Sequence, residues 1–75
     1  MSRLSRQPQN SRCRIKQCYG DRRFIGRITS IGLTAGTPVE IIQNRKNTPL
    51  LLYARDTVIA LSFREADSIW VEEIE

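Results

Sequence analysis

Cys13 and Cys18 are the softest metal ligands and the strongest nucleophiles in this 75-residue chain, which contains no histidine. A catalytic thiol needs a base beside it to become a thiolate, and the usual base is missing. A structural zinc site needs four ligands at defined spacings. Cys13, Cys18, Asp21 and Glu40 are the nearest set, and they follow no such spacing. Alternation across Arg12–Lys16 places the two cysteines near the ends of one strand. They would then lie roughly 16 Å apart, beyond the ~7 Å Cα separation that a disulfide can bridge. Two free thiols are the reading, with half a zinc site as the alternative. Gly32 and Gly36 offer no phosphate cradle, because they join a helix to a strand and phosphate loops run the other way. No enzyme, cofactor or bound metal is expected.

Charge comes next. The chain carries +4 net, unevenly spread. Residues 1–27 hold eight bases (Arg3, Arg6, Arg12, Arg14, Lys16, Arg22, Arg23 and Arg27) against Asp21 alone. Residues 64–75 hold Arg64 against Glu65, Asp67, Glu72, Glu73 and Glu75. A basic half can read as a nucleic-acid footprint, and Tyr53 and Trp70 could be stacking platforms beside it. The plainer reading is that the two ends meet across the fold and neutralise one another, with both aromatics in strands. Nucleic acid is therefore the lesser expectation.

The elements that must position these groups are short. Forty per cent of the residues are apolar and well distributed, a globular composition. A chain of this length buries roughly 60% of its unfolded surface, enough for one small domain over 1–75. No apolar run approaches the ~18 residues of a membrane span. The polar, Arg-rich start does not resemble a secretory signal, so a cytoplasmic protein is expected.

Met1–Ser11 reads as a flexible arm and a turn. Arg12–Cys18 is a half-buried strand. Asp21 caps a helix in which Phe24, Ile28 and Ile31 stack on one face and Ile25 lies beside them. Gly26 inside it costs roughly 1 kcal/mol against alanine, so packing must hold the helix. Gly32 is placed to end it in a left-handed conformation, folding Leu33 back onto the apolar face. Gly36 suits a tight turn at positive φ before Pro38. Val39–Gln43 is a strand with Val39 and Ile41 on one face. Leu50–Ala54 and Thr57–Phe63 form a hairpin around Arg55-Asp56, apolar enough for both faces to be covered. Arg64–Ser68 can make one helical turn. Ile69–Ile74 closes the chain, with Trp70 facing away from Ile69 and Val71. Five short strands can close into a small barrel, with Phe24, Ile28 and Ile31 plugging one mouth.

The stretch "GDRRFIGRITSIGLTAGTPVEII" resembles the ferrous-iron transport protein A (FeoA) family. Gly32, Leu33, Gly36 and Val39 match its Gly-Leu-x-x-Gly element and following strand. The likeness runs from "LSRQPQNSRCRI" to "EADSIWVEEI". It departs from the family where Pro8-Gln9 stands for Pro-Gly, where Asn47-Thr48 stands for Gly-Asp, where Asp56 stands at the hairpin turn in place of Gly, and at Gly26. The resemblance implies a mainly β, five-stranded SH3-like barrel with one helix between its first two strands. It also implies a non-enzymatic cytoplasmic role in bacterial ferrous-iron uptake, docking to the cytosolic part of the membrane-bound, GTP-driven permease. A similar fold ends iron-dependent repressors, but this chain has no helix-turn-helix. Nucleic-acid binding and metal sensing are the alternatives. The expected partner surface is Arg22, Arg23, Arg27, Leu33 and Thr34, around the helix and its exit. Alternatively Leu33 is core and the arginines are merely solvated. Gly32 and Gly36 are structural.

Overall fold

Alternating side chains set every long strand of the computed structural model, which describes residues 1–74. In β2 (Arg12–Cys18), buried Cys13 and Ile15 alternate with exposed Arg12, Arg14 and Lys16. In β3 (Pro38–Gln43) the buried residues are Val39 and Ile41, and in β4 (Leu50–Ala54) they are Leu50, Leu52 and Ala54. β5 (Thr57–Leu61) contributes Leu61, and β6 (Ile69–Glu73) contributes Ile69 and Val71. Two helices, α1 (Arg22–Ser30) and α2 (Phe63–Asp67), lie between strands. A sixth strand, β1 (Ser2–Arg3), opens the chain and leads into a 3-10 turn at Leu4–Arg6.

All pairings are antiparallel, in the order β1-β6-β2-β3-β4-β5. Register shifts between Ile15 and Gln17, and between Ile41 and Gln43, mark irregularities where such strands bend. The sheet coils around one core, yet its ends are not hydrogen-bonded neighbours. α2 packs against the 3-10 turn, β5 and β6 near the open seam. Among the described residues, the expected closed five-stranded cylinder is thus a six-stranded coiled sheet without a ladder joining its two ends. Its first helix follows the second strand.

The first eleven residues are not a loose arm. Ser2 and Arg3 pair with Val71 and Trp70, and Leu4 is fully buried. Ser5 Oγ donates to Asp67 Oδ1 at 2.7 Å. The Asn44 side-chain amide donates to the carbonyls of Ser5 (3.0 Å) and Gln7 (2.6 Å). Asn10 and Ser11 exchange backbone bonds with Ile41. Two residues of strand and one leucine leave no periodicity to read, so the segment looks like a tail until its partners are in place.

α1 begins where expected, with Asp21 Oδ1 accepting from the Phe24 amide at 2.8 Å. Ile28 is its fully buried residue and Phe24 packs partly against the core, but Ile31 is 37% exposed. The third member of the expected plug is Leu33 instead. Its N–H donates to the Ile28 carbonyl (3.1 Å) while Gly32 N–H donates to Thr29 (3.0 Å). This paired closure puts the residue after the glycine against the last buried turn. The β4–β5 hairpin is covered on one face only: Tyr53 is 42% and Val58 58% exposed, as antiparallel sheets permit. β5 also stops at Leu61. Ser62 and Glu65 then form a reciprocal capping box that starts α2 at an exposed Phe63.

Candidate functional site

The expected partner surface divides once the helix exit is built. Arg22 and Arg23 occupy the exposed first turn of α1. Arg27 is also exposed, and its guanidinium pairs with Glu65 of α2. Leu33 has no exposed surface and belongs to the core, which corrects its assignment to a docking surface. Thr34 is half-buried and tied into the next turn, its hydroxyl 3.2 Å from that of Thr37. Arg22 and Arg23 are left without an acidic partner among the described residues, and a threonine and a leucine build the scaffold behind them.

That scaffold explains both glycines. Gly32 has φ +94°, and its carbonyl accepts from Arg55 Nε (2.9 Å) and Thr37 Oγ1 (3.3 Å). Gly36 has φ +92° as the third residue of the Thr34–Thr37 turn. The Gly36 N–H donates to Ile15 (2.7 Å), and its carbonyl accepts from Arg14 (3.0 Å). The helix exit is thereby fastened to β2 and to the hairpin tip, where Arg55 and Asp56 both adopt positive φ (52° and 62°), the two-residue geometry that suits right-twisted strands.

The two ends of the chain do meet. Arg3 pairs with Asp67 (3.0 Å), Lys16 with Glu72 (3.0 Å) and Arg27 with Glu65. Glu75, the last member of the acidic end, lies outside the described residues. Trp70 is half-buried beneath Arg3, whose guanidinium carbon lies 5.3 Å from the ring centroid, with Tyr19 edge-on. Tyr53 is open, but its hydroxyl donates to Asp56 (3.2 Å) and Glu40 lies opposite it in the ladder. Carboxylates beside a ring repel a phosphate backbone.

Cys13 and Cys18 are free thiols. Burial pushes Cys13 up to about 11 and raises Cys18 as well, which disfavours the thiolate that a nucleophile or soft ligand needs. Asp21 already caps α1. Among the described residues no three Cys, Asp or Glu side chains converge in a metal-site cluster. None of the helices among them is long and apolar enough to cross a membrane. One surface has no counterpart in the sequence pattern, a cleft between the loop after β3 and the start of α2. Ser62-x-x-Glu65 was the signal that Phe63 leaves the strand.

A search of curated proteins finds no match. Solved structures match closely in shape. A crystal structure of an iron uptake regulatory protein (FeoA) has a TM-score of 0.89 at 17% identity, covering 95% of both chains. An iron(II) transport protein A from Clostridium thermocellum gives 0.88 at 29% identity, over 96% of this chain and 45% of that one. FeoA from Stenotrophomonas maltophilia, solved with zinc and described as a prokaryotic SH3 domain protein, gives 0.83 at 21%, over 96% and 91%. These likenesses support the SH3-like architecture, here with six strands. The FeoA domain model matches residues 2–73, so the chain belongs to the FeoA family, which is associated with ferrous-iron transport.

Proposed function

We propose that this chain is a non-enzymatic, cytoplasmic accessory protein of bacterial ferrous-iron uptake. It acts by docking to the cytosolic part of the membrane-bound, GTP-driven ferrous-iron permease and modulating it. The observation that carries this reading is the FeoA match over residues 2–73, nearly the whole described chain. The geometry supports it. The fold is mostly scaffold, the thiols are held protonated, and Arg22 and Arg23 project from α1 without acidic partners among the described residues. Exposed arginines of this kind steer an acidic partner and favour planar recognition of carboxylates.

Co-purification with the cytosolic part of the permease from the same organism tests the reading. Retention on the immobilised permease fragment, reduced in the Arg22→Glu/Arg23→Glu variant, is expected. Failure of the folded wild-type chain to be retained at low salt would overturn it.

A further inference from the structure

A cleft lies beside α2. Its volume is about 590 Å³, and it is lined by Arg45, Lys46, Asn47, Leu50, Phe63 and Ala66 among others. Leu50 and Ala66 are buried, whereas the Phe63 ring is 68% exposed, an unusual position for a side chain of that size. Two cations share this lining. Arg45 and Lys46 are exposed, and no carboxylate among the described residues pairs with either.

The basic wall is built rather than trailing. Arg45 and Lys46 open a turn in which the Thr48 amide (3.3 Å) and hydroxyl (2.9 Å) both donate to the Arg45 carbonyl. Asn47 supplies the left-handed conformation at φ +64°, which asparagine tolerates better than most residues. At the base of the turn, Asn44 is bonded to Ser5 and Gln7, and its N–H donates to Gln9 Oε1 (3.2 Å). On the other side, the capping box fixes the first turn of α2, which carries Phe63. A surface already held in place loses little freedom on binding.

We infer that this cleft binds an acidic protein segment that presents one large apolar side chain between carboxylates. The apolar side chain would sit against Phe63 and Leu50, and the flanking carboxylates would meet Arg45 and Lys46. Charge complementarity selects this occupant. A purely apolar segment leaves both cations unanswered, and a small anion leaves the phenylalanine ring in water. Aromatic and arginine side chains are also the types that dominate binding at protein interfaces. Arg22 and Arg23 do not line this site, which does not depend on what the chain docks to.

The test is a titration of the full ¹⁵N-labelled chain, followed by amide resonances, with a synthetic peptide in which a central leucine is flanked on both sides by glutamates. Shifts confined to residues 44–50 and 62–66, weakening as salt rises, are expected. Phe63→Ala and Arg45→Glu/Lys46→Glu change exposed side chains and should keep the folded spectrum. Each should weaken binding about tenfold or more. Exchange of the central leucine for glycine should do the same. The inference is overturned if the glutamate peptide shifts no cleft amide at millimolar concentration, or if a lysine-flanked peptide or inorganic phosphate reproduces the shifts. It also fails if the same amides shift with protein concentration alone, which would make the occupant a second copy. Permease retention of Phe63→Ala, measured in parallel, separates this inference from the proposed docking.

Discussion

Replacing Gly32 with alanine should destabilise the domain by about 2 kcal/mol, twice the effect of the same change at Gly36. Both glycines have nearly the same positive φ, +94° and +92°. An L-residue in left-handed backbone costs about 1 kcal/mol or slightly more. The surroundings differ. A Cβ built on Gly36 meets nothing within 4 Å, whereas one built on Gly32 would lie 2.6 Å from Arg55 Cδ and 3.1 Å from its Nε. Arg55 can swing away, but only by giving up the 2.9 Å bond from Nε to the Gly32 carbonyl, worth about 1 kcal/mol. For a domain of this size each kcal/mol moves the melting temperature by roughly 4–8 °C. Gly32→Ala should thus melt roughly 8–16 °C lower, and Gly36→Ala about half as far. Thermal melts followed by circular dichroism give both values. In an Arg55→Ala background the two glycine changes should cost the same. Equal costs in the wild-type background, or a gap that survives removal of Arg55, would refute the assignment of Arg55 as the contact.

Three further outcomes follow from the same geometry. Gly26 lies within α1 with nothing within 4 Å of an added Cβ, so Gly26→Ala should raise stability by about 0.5–1 kcal/mol in urea titrations. The Cys13 thiol is pushed up from 9.0 to about 11 by burial, with Glu73 adding to it. A raised folded value means that its contribution is complete below pH 9 and is lost as pH rises toward 11; Cys13→Ala should flatten that alkaline fall in melting temperature. Asp67 is held below its usual 3.8 by the Ser5 hydroxyl, then by Arg3, against partial burial. Its contribution is present above that value and lost as pH falls below it, so Asp67→Asn should reduce the acid-side slope of melts between neutral pH and pH 3.

The helix exit was legible in the sequence because each feature has a local cause. Asp21 starts a helix, Gly32 ends it, and the residue after such a glycine returns to the apolar face. The same rule that placed Leu33 inside also removes it from any docking surface. Strand alternation likewise placed Cys13, Ile15, Val39, Ile41, Ile69 and Val71 in the core. What stayed hidden has non-local causes. β1 is only two residues long and exists because β6 lies beside it. Ile31 sits at a helical spacing that fits the apolar face, but the helix closes one residue later and Leu33 takes the buried place. The outer face of β4–β5 reads as covered because Leu50–Tyr53 is continuously apolar, yet no element among the described residues packs there to exclude water from Tyr53 and Val58. The basic cleft joins residues 45–50 to residues 63–66, which no short window of sequence brings together.

On the proposed reading the chain works by binding another protein. A calorimetric titration of the wild-type chain into the purified cytosolic part of the permease, at low and at physiological salt, tests it most directly. Saturable one-to-one binding, weaker at higher salt and weaker still with Arg22→Glu/Arg23→Glu, is the predicted result. No binding by the folded chain at either salt concentration would contradict it.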